Sequence, residues 1–190
     1  MLTGTTTELN LADYFKSHSM TYRPIVFEKL DEAVQAYPAG RCDVYTTDQS
    51  ALYSVRVGQP KPDEHVILPE IVSKEPLGPS VRQGDSQWLT VIKWVHFALL
   101  NAEEMGVTQA NVDQMSVSTN PDMKRLLGRD GDLGKGIGLD NDFVIKIVKA
   151  VGNYGEIFDR NVGVGSRIKI DRSQNNLWTK GGLHYAPPMR

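Results

Sequence analysis

The sequence is short of the features that usually announce a function. One cysteine among 190 residues, Cys42, excludes an intramolecular disulfide. Aromatic side chains make up only 8% of the chain, and the three tryptophans read as packing residues rather than stacking platforms. Neither sign of charge dominates: 21 basic and 23 acidic residues leave about −2, without the clustered basic face that nucleic acid requires. No apolar run reaches the roughly 18 residues needed to enter a membrane. His18, His65, His96 and His184 are scattered, and none has a partner at metal-ligand spacing. The stretch Met1–Glu8 has no basic n-region, apolar h-region or small-residue cleavage site, so no export signal is read there and a cytoplasmic location stays open.

What remains is an ordinary globular balance, 40% hydrophobic and 23% charged, with clear periodicity. Residues 1–73 alternate helix-like and strand-like segments. Helices are expected over 5–18, 30–37 and 48–55, and strands over 24–28, 42–47 and 65–68. That alternation predicts a small parallel α/β unit. It carries a net charge of −4, against +2 for the rest of the chain. The stretch Lys74–Pro79 is rich in proline and glycine and reads as a connector. Asp85 then caps a long helix whose apolar face would hold Trp88, Val91, Ile92, Val95, Ala98 and Leu99, with Gly106 as its stop. Beyond it the pattern is helical with glycine-rich breaks, over 108–116, 121–127, 141–151 and 153–160. The division expected is 1–73, a connector with a strand at 74–84, and a mainly helical 85–190.

Two short motifs bear on chemistry. In Gly4-Thr5-Thr6-Thr7-Glu8 a glycine, three hydroxyls and the free amides of a helix start could receive a carboxylate. The same letters also spell a plain capped helix, with Thr5 as cap and Glu8 completing a capping box. Asp48 follows a presumed strand at the edge where open α/β sheets gather ligands, and its carboxylate could accept from an ammonium group. It could equally cap the next helix. An α-amino acid carries both groups. The glycine-rich run 131–138 lacks the P-loop spacing, since Arg129 and Gly136 stand where a glycine and a hydroxyl residue are needed. Asp130, Asp132, Asp140 and Asp142 depart from calcium-loop spacing and read as solvated loop acids. No cofactor motif and no nucleophile motif is present.

Several longer stretches resemble one family: 4–11, 40–48, 65–79, 131–142, 151–163 and 177–190, among them Gly-Arg-Cys-Asp-Val-Tyr-Thr-Thr-Asp and Val-Gly-Asn-Tyr-Gly-Glu-Ile-Phe-Asp-Arg-Asn-Val-Gly. The chain is similar along essentially its whole length to the periplasmic general L-amino-acid-binding proteins of polar-amino-acid ABC transporters. The resemblance implies two α/β lobes that close over an amino acid. It makes 1–73 most of a second lobe of the type II periplasmic-binding-protein kind, and the remainder a C-terminal helical part of the first lobe, most of which is missing. By the same resemblance Thr6, flanked by Gly4, Thr5 and Thr7, meets the ligand α-carboxylate, and Asp48 holds the α-ammonium. The arginine that clamps the carboxylate and the aromatic residues that grip the side chain would lie in the absent lobe.

The function expected is thus that of an N-terminally truncated solute-binding protein, periplasmic by analogy and served by an ABC permease. It would bind L-amino acids weakly, or in a composite site of a homo-oligomer formed by exchanging the C-terminal part about the connector. The alternative is a structural or interaction remnant that binds no ligand. An enzyme would need an acid–base residue aimed at the cleft, and none is identified.

Overall fold

Asp85 accepts a hydrogen bond from the Trp88 amide at 2.9 Å, and from that cap the longest helix of the protein runs to Glu104. The structure is a computed structural model and describes residues 1–74 and 76–190. The chain divides into two units, Met1–Gly78 and Pro79–Arg190. The connector expected at 74–84 straddles that division, and its Glu75 lies outside the described residues. In the first unit the helices are α1 (Thr6–Ser17), α2 (Leu30–Ala36) and α3 (Gln49–Val57). In the second they are α4 (Ser86–Glu104), α5 (Val112–Met115), α6 (Pro121–Leu126), α7 (Leu133–Gly136), α8 (Phe143–Val151) and α9 (Tyr154–Asn161). All but α7 fall on segments whose pattern predicted helix; α7 is a single turn inside the glycine-rich run, where no helix was expected.

The expected parallel sheet is where sequence and structure part. Among the described residues the only pairing in the first unit is a single parallel bridge between Leu2 and Phe27. It is built by Thr3 N–H to the Phe27 carbonyl at 3.0 Å and Phe27 N–H to the Met1 carbonyl at 3.1 Å. The segments 42–47 and 65–68 are not helical, yet they join no ladder. Short apolar, β-branched runs mark an extended backbone, but a ladder also needs a second extended chain about 4.8 Å away. Val44, Val66 and Leu68 consequently stand exposed. The unit's core is Phe27, Ala33 and Ala36, with Leu2, Ile25, Cys42 and Tyr45 packed around them.

The second unit buries far more. One face of α4 places Ala98 and Ala102 in a cluster with Val107, Leu126, Leu127, Phe143, Val144 and Val148. Gly106, at φ +70°, turns the chain so that the Val107 amide returns to the Ala102 carbonyl at 2.8 Å, a closure that favours glycine. Asn120 caps α6 through the amides of Asp122 and Met123, with Pro121 in the first turn. The neighbouring face of α4 takes the C-terminal segment, where Leu177 and Ala186 bury against Leu100. Trp94 packs on the core as expected, whereas Trp88 and Trp178 are each 51% exposed. Trp88 lies in the first turn of α4, ahead of Val91, the first residue of that helix to be buried. No described helix is long and apolar enough to cross a membrane.

Candidate functional site

The Gly4–Glu8 turn does not form the capping box that its letters allow. Thr5 occupies the cap position of α1 with an extended backbone, but its hydroxyl turns back and donates to the Leu2 carbonyl at 2.9 Å. Glu8 reaches past Thr5 and accepts from the Gly4 amide at 2.7 Å. Gly4 sits at φ +68°, a conformation that a side chain would strain. Among the described residues, the amides of Thr5, Thr6 and Thr7 have no hydrogen-bond partner. Three N–H groups at the positive end of a 12-residue helix are thus left for an anion.

Asp48 repeats the pattern. It holds the cap position of α3, and its carbonyl accepts from the Leu52 amide at 2.9 Å. Its side chain caps nothing and is exposed. Just before it, the Tyr45 hydroxyl is hydrogen-bonded with Thr47, and partial burial raises the phenol above its usual range. Leu2, two residues ahead of Gly4, and Tyr45, three ahead of Asp48, pack against the same small core. No hydrogen bond or ion pair among the described residues joins Asp48 to the Gly4–Thr7 turn.

Other candidates resolve into structure. In the glycine-rich run, Asn141 donates to Asp132 at 2.9 Å and to the Gly131 carbonyl at 3.3 Å. Lys135 pairs with Asp132 at 3.1 Å, and Lys146 pairs with Asp140 at 2.6 Å and Asp142 at 2.9 Å. Those partners lower the carboxyls of Asp132 and Asp140 below the usual range, with the Asn141 and Lys146 hydrogen bonds as the respective leading causes. Among the described residues no group of three potential ligands could hold a metal ion.

One cluster escaped the sequence. His96 on α4 and His184 near the C-terminus bring their rings to 6.0 Å, and Tyr154 of α9 lies 5.7 Å from the first and 4.6 Å from the second. Beside them Arg172 pairs with Glu103 at 3.1 Å and stacks over Tyr154 and Phe158. Glu103 and Arg172 are 69 residues apart, so no local spacing could have joined them.

Comparison with known proteins supplies what geometry cannot. No family model matches the sequence. The chain is 62% identical over 189 residues to the general L-amino acid-binding periplasmic protein AapJ of Rhizobium johnstonii, which spans 98% of this chain and 55% of that protein. It is 53% identical over 189 residues to the glutamate/glutamine/aspartate/asparagine-binding protein BztA of Rhodobacter capsulatus, covering 99% and 56%. The chain is thus similar, along nearly its whole length, to proteins named as amino-acid-binding periplasmic proteins of ABC transporters. A solved ABC-transporter periplasmic binding protein from Brucella ovis, with glutathione bound, superposes with a TM-score of 0.93 at 61% identity. That match takes in all of this chain and 60% of the Brucella one. This binding-protein relative therefore spans little more than half the length of the curated proteins that it matches.

Proposed function

We propose that the first unit carries the α-amino-acid end of a solute-binding site, in a periplasmic protein that delivers its ligand to an ABC permease. In the turn that Gly4 opens, the amides of Thr5, Thr6 and Thr7 and the hydroxyls of Thr6 and Thr7 receive the α-carboxylate, and Asp48 accepts from the α-ammonium. One observation carries the reading: both helices keep their cap groups free, although each has a residue at the cap position able to use them. The names of the relatives agree with it. AapJ is named for L-amino acids in general and BztA for two acidic amino acids and their two amides. The Brucella protein holds glutathione, whose γ-glutamyl end also bears a free α-ammonium and α-carboxylate. The shared chemistry is the backbone end of the ligand, and the role is binding rather than catalysis.

Two charge-assisted contacts at about 1.5–3 kcal/mol each would give a dissociation constant near millimolar. Binding by this chain is accordingly weak, unless a second copy, with or without exchange of its C-terminal part, completes the site. The test is a nuclear magnetic resonance titration of the Thr5–Thr7 amides with glutamate, glutamine, aspartate, asparagine, arginine, histidine and glutathione. Saturable shifts that disappear in Asp48→Asn support the proposal. A folded protein whose amides ignore every ligand at about ten times that constant refutes it, and leaves the chain as an interaction remnant.

A further inference from the structure

The C-terminal segment, residues 176–189, lies as a strap on α4. Leu177 and Ala186 bury against Leu100, flanked by Phe97 and Tyr154. Asn101 donates to the Pro187 carbonyl at 2.9 Å, and the Trp178 indole donates to Glu104 at 3.2 Å. The strap closes on itself through the Trp178 amide to the His184 carbonyl at 2.9 Å and the His184 amide to the Asn176 carbonyl at 3.1 Å. His184, placed by that closure, meets His96 of α4 across the seam.

The electrostatic surroundings of the two imidazoles are one-sided. Neither ring nitrogen pair has a hydrogen-bond partner among the described residues. The groups facing them are Tyr154 from α9, Arg172 from the segment between α9 and the strap, and Glu103 from α4. Glu103 is the single acid of the set and is engaged by Arg172, with side chains only 9% and 15% exposed. A proton added to either ring finds no free counterion, and a second proton adds a third cation.

We infer that His96 and His184 form an acid-sensitive latch, closed while both are neutral and opened when they charge, which releases the strap from α4. Burial alone lowers His96, and burial, His96 and Arg172 in that order lower His184, with Glu103 opposing. Such depressed groups add stability that is complete above the ordinary histidine pKa of about 6.5 and is lost as pH falls below it toward the folded value.

The test is amide hydrogen exchange on the full chain, with Trp178 and His184 as strap reporters and Val107 and Leu127 as core references. Each rate is corrected for intrinsic exchange. On passing from pH 7.5 to pH 5.5, the strap amides should lose protection relative to the core, and the His96→Phe/His184→Phe variant should lose none. In the wild type, both imidazole Hε1 signals should titrate below the ordinary histidine midpoint, in step with the strap amides. Unchanged strap protection overturns the latch, as does an equal loss in the double variant. Should that variant fail to fold, the wild-type titration decides alone, and imidazole midpoints at or above the ordinary value overturn it.

Discussion

Asn153 performs two tasks that substitution can separate. Its side-chain oxygen accepts from the Glu156 amide at 3.0 Å while Glu156 accepts from the Asn153 amide at 2.8 Å, a complete capping box on α9. Its amide nitrogen donates to the Val107 carbonyl at 2.7 Å, a bond 46 residues long in sequence and buried at both ends. Losing the cap costs about 1 kcal/mol. Orphaning a buried carbonyl costs about 1–3 kcal/mol more. Asn153→Ala should therefore destabilise the second unit by roughly 2–4 kcal/mol. Asn153→Ser, which keeps an acceptor for Glu156, should lose only the second part. Asn153→Asp sets a carboxylate oxygen against the Val107 carbonyl and should be no better than alanine at pH 7. Denaturant unfolding followed by tryptophan fluorescence measures this cleanly, because Trp88, Trp94 and Trp178 all lie in the second unit. An alanine loss below about 0.5 kcal/mol, the level of an ordinary surface substitution, would refute the reasoning, as would an aspartate variant as stable as the wild type.

Three further outcomes follow from the packing. Gly128 combines φ +66° with a Cβ direction that runs into the Asn141 carbonyl, so Gly128→Ala should cost about 3 kcal/mol or more, read as a loss of cooperative melting. A Cβ at Gly155 would come within 3.0 Å of both the Arg172 guanidinium and the Glu103 carboxyl. Those neighbours are side chains that can shift, and Gly155→Ala should cost about 1–3 kcal/mol, measured as a lowered denaturation midpoint. Asp48→Asn, by contrast, removes no hydrogen bond from α3 and should leave stability within about 0.5 kcal/mol while ligand response is lost. A large fall in stability would show that the carboxylate serves the fold.

How much of this could be read from the letters depends on how local the cause is. Asp85 and Gly106 act within one turn of helix, and the ends of α4 were legible for that reason. The parallel sheet was not, because a short strand-like run at 42–47 or 65–68 reports a backbone shape and says nothing of a neighbour. Thr5 and Asp48 were readable as cap positions, but the torsion that aims a side chain at its own helix or away from it is not written in composition. The His96–His184 contact depends on the path of the whole second unit. Trp88 failed for a geometric reason: its spacing places it on the apolar stripe, one turn beyond where the stripe begins to be covered.

The unequal cores of the two units have a thermal consequence. Among the described residues, four buried apolar side chains anchor the first unit and seventeen the second. Heat capacity released on unfolding scales with the apolar surface that becomes wet, so the first unit has a shallow, nearly flat dependence of stability on temperature and the second a strongly curved one. Cooling therefore erodes the two unequally: the well-packed unit loses part of its advantage, while the sparsely packed one, which carries Thr6 and Asp48, barely registers the change.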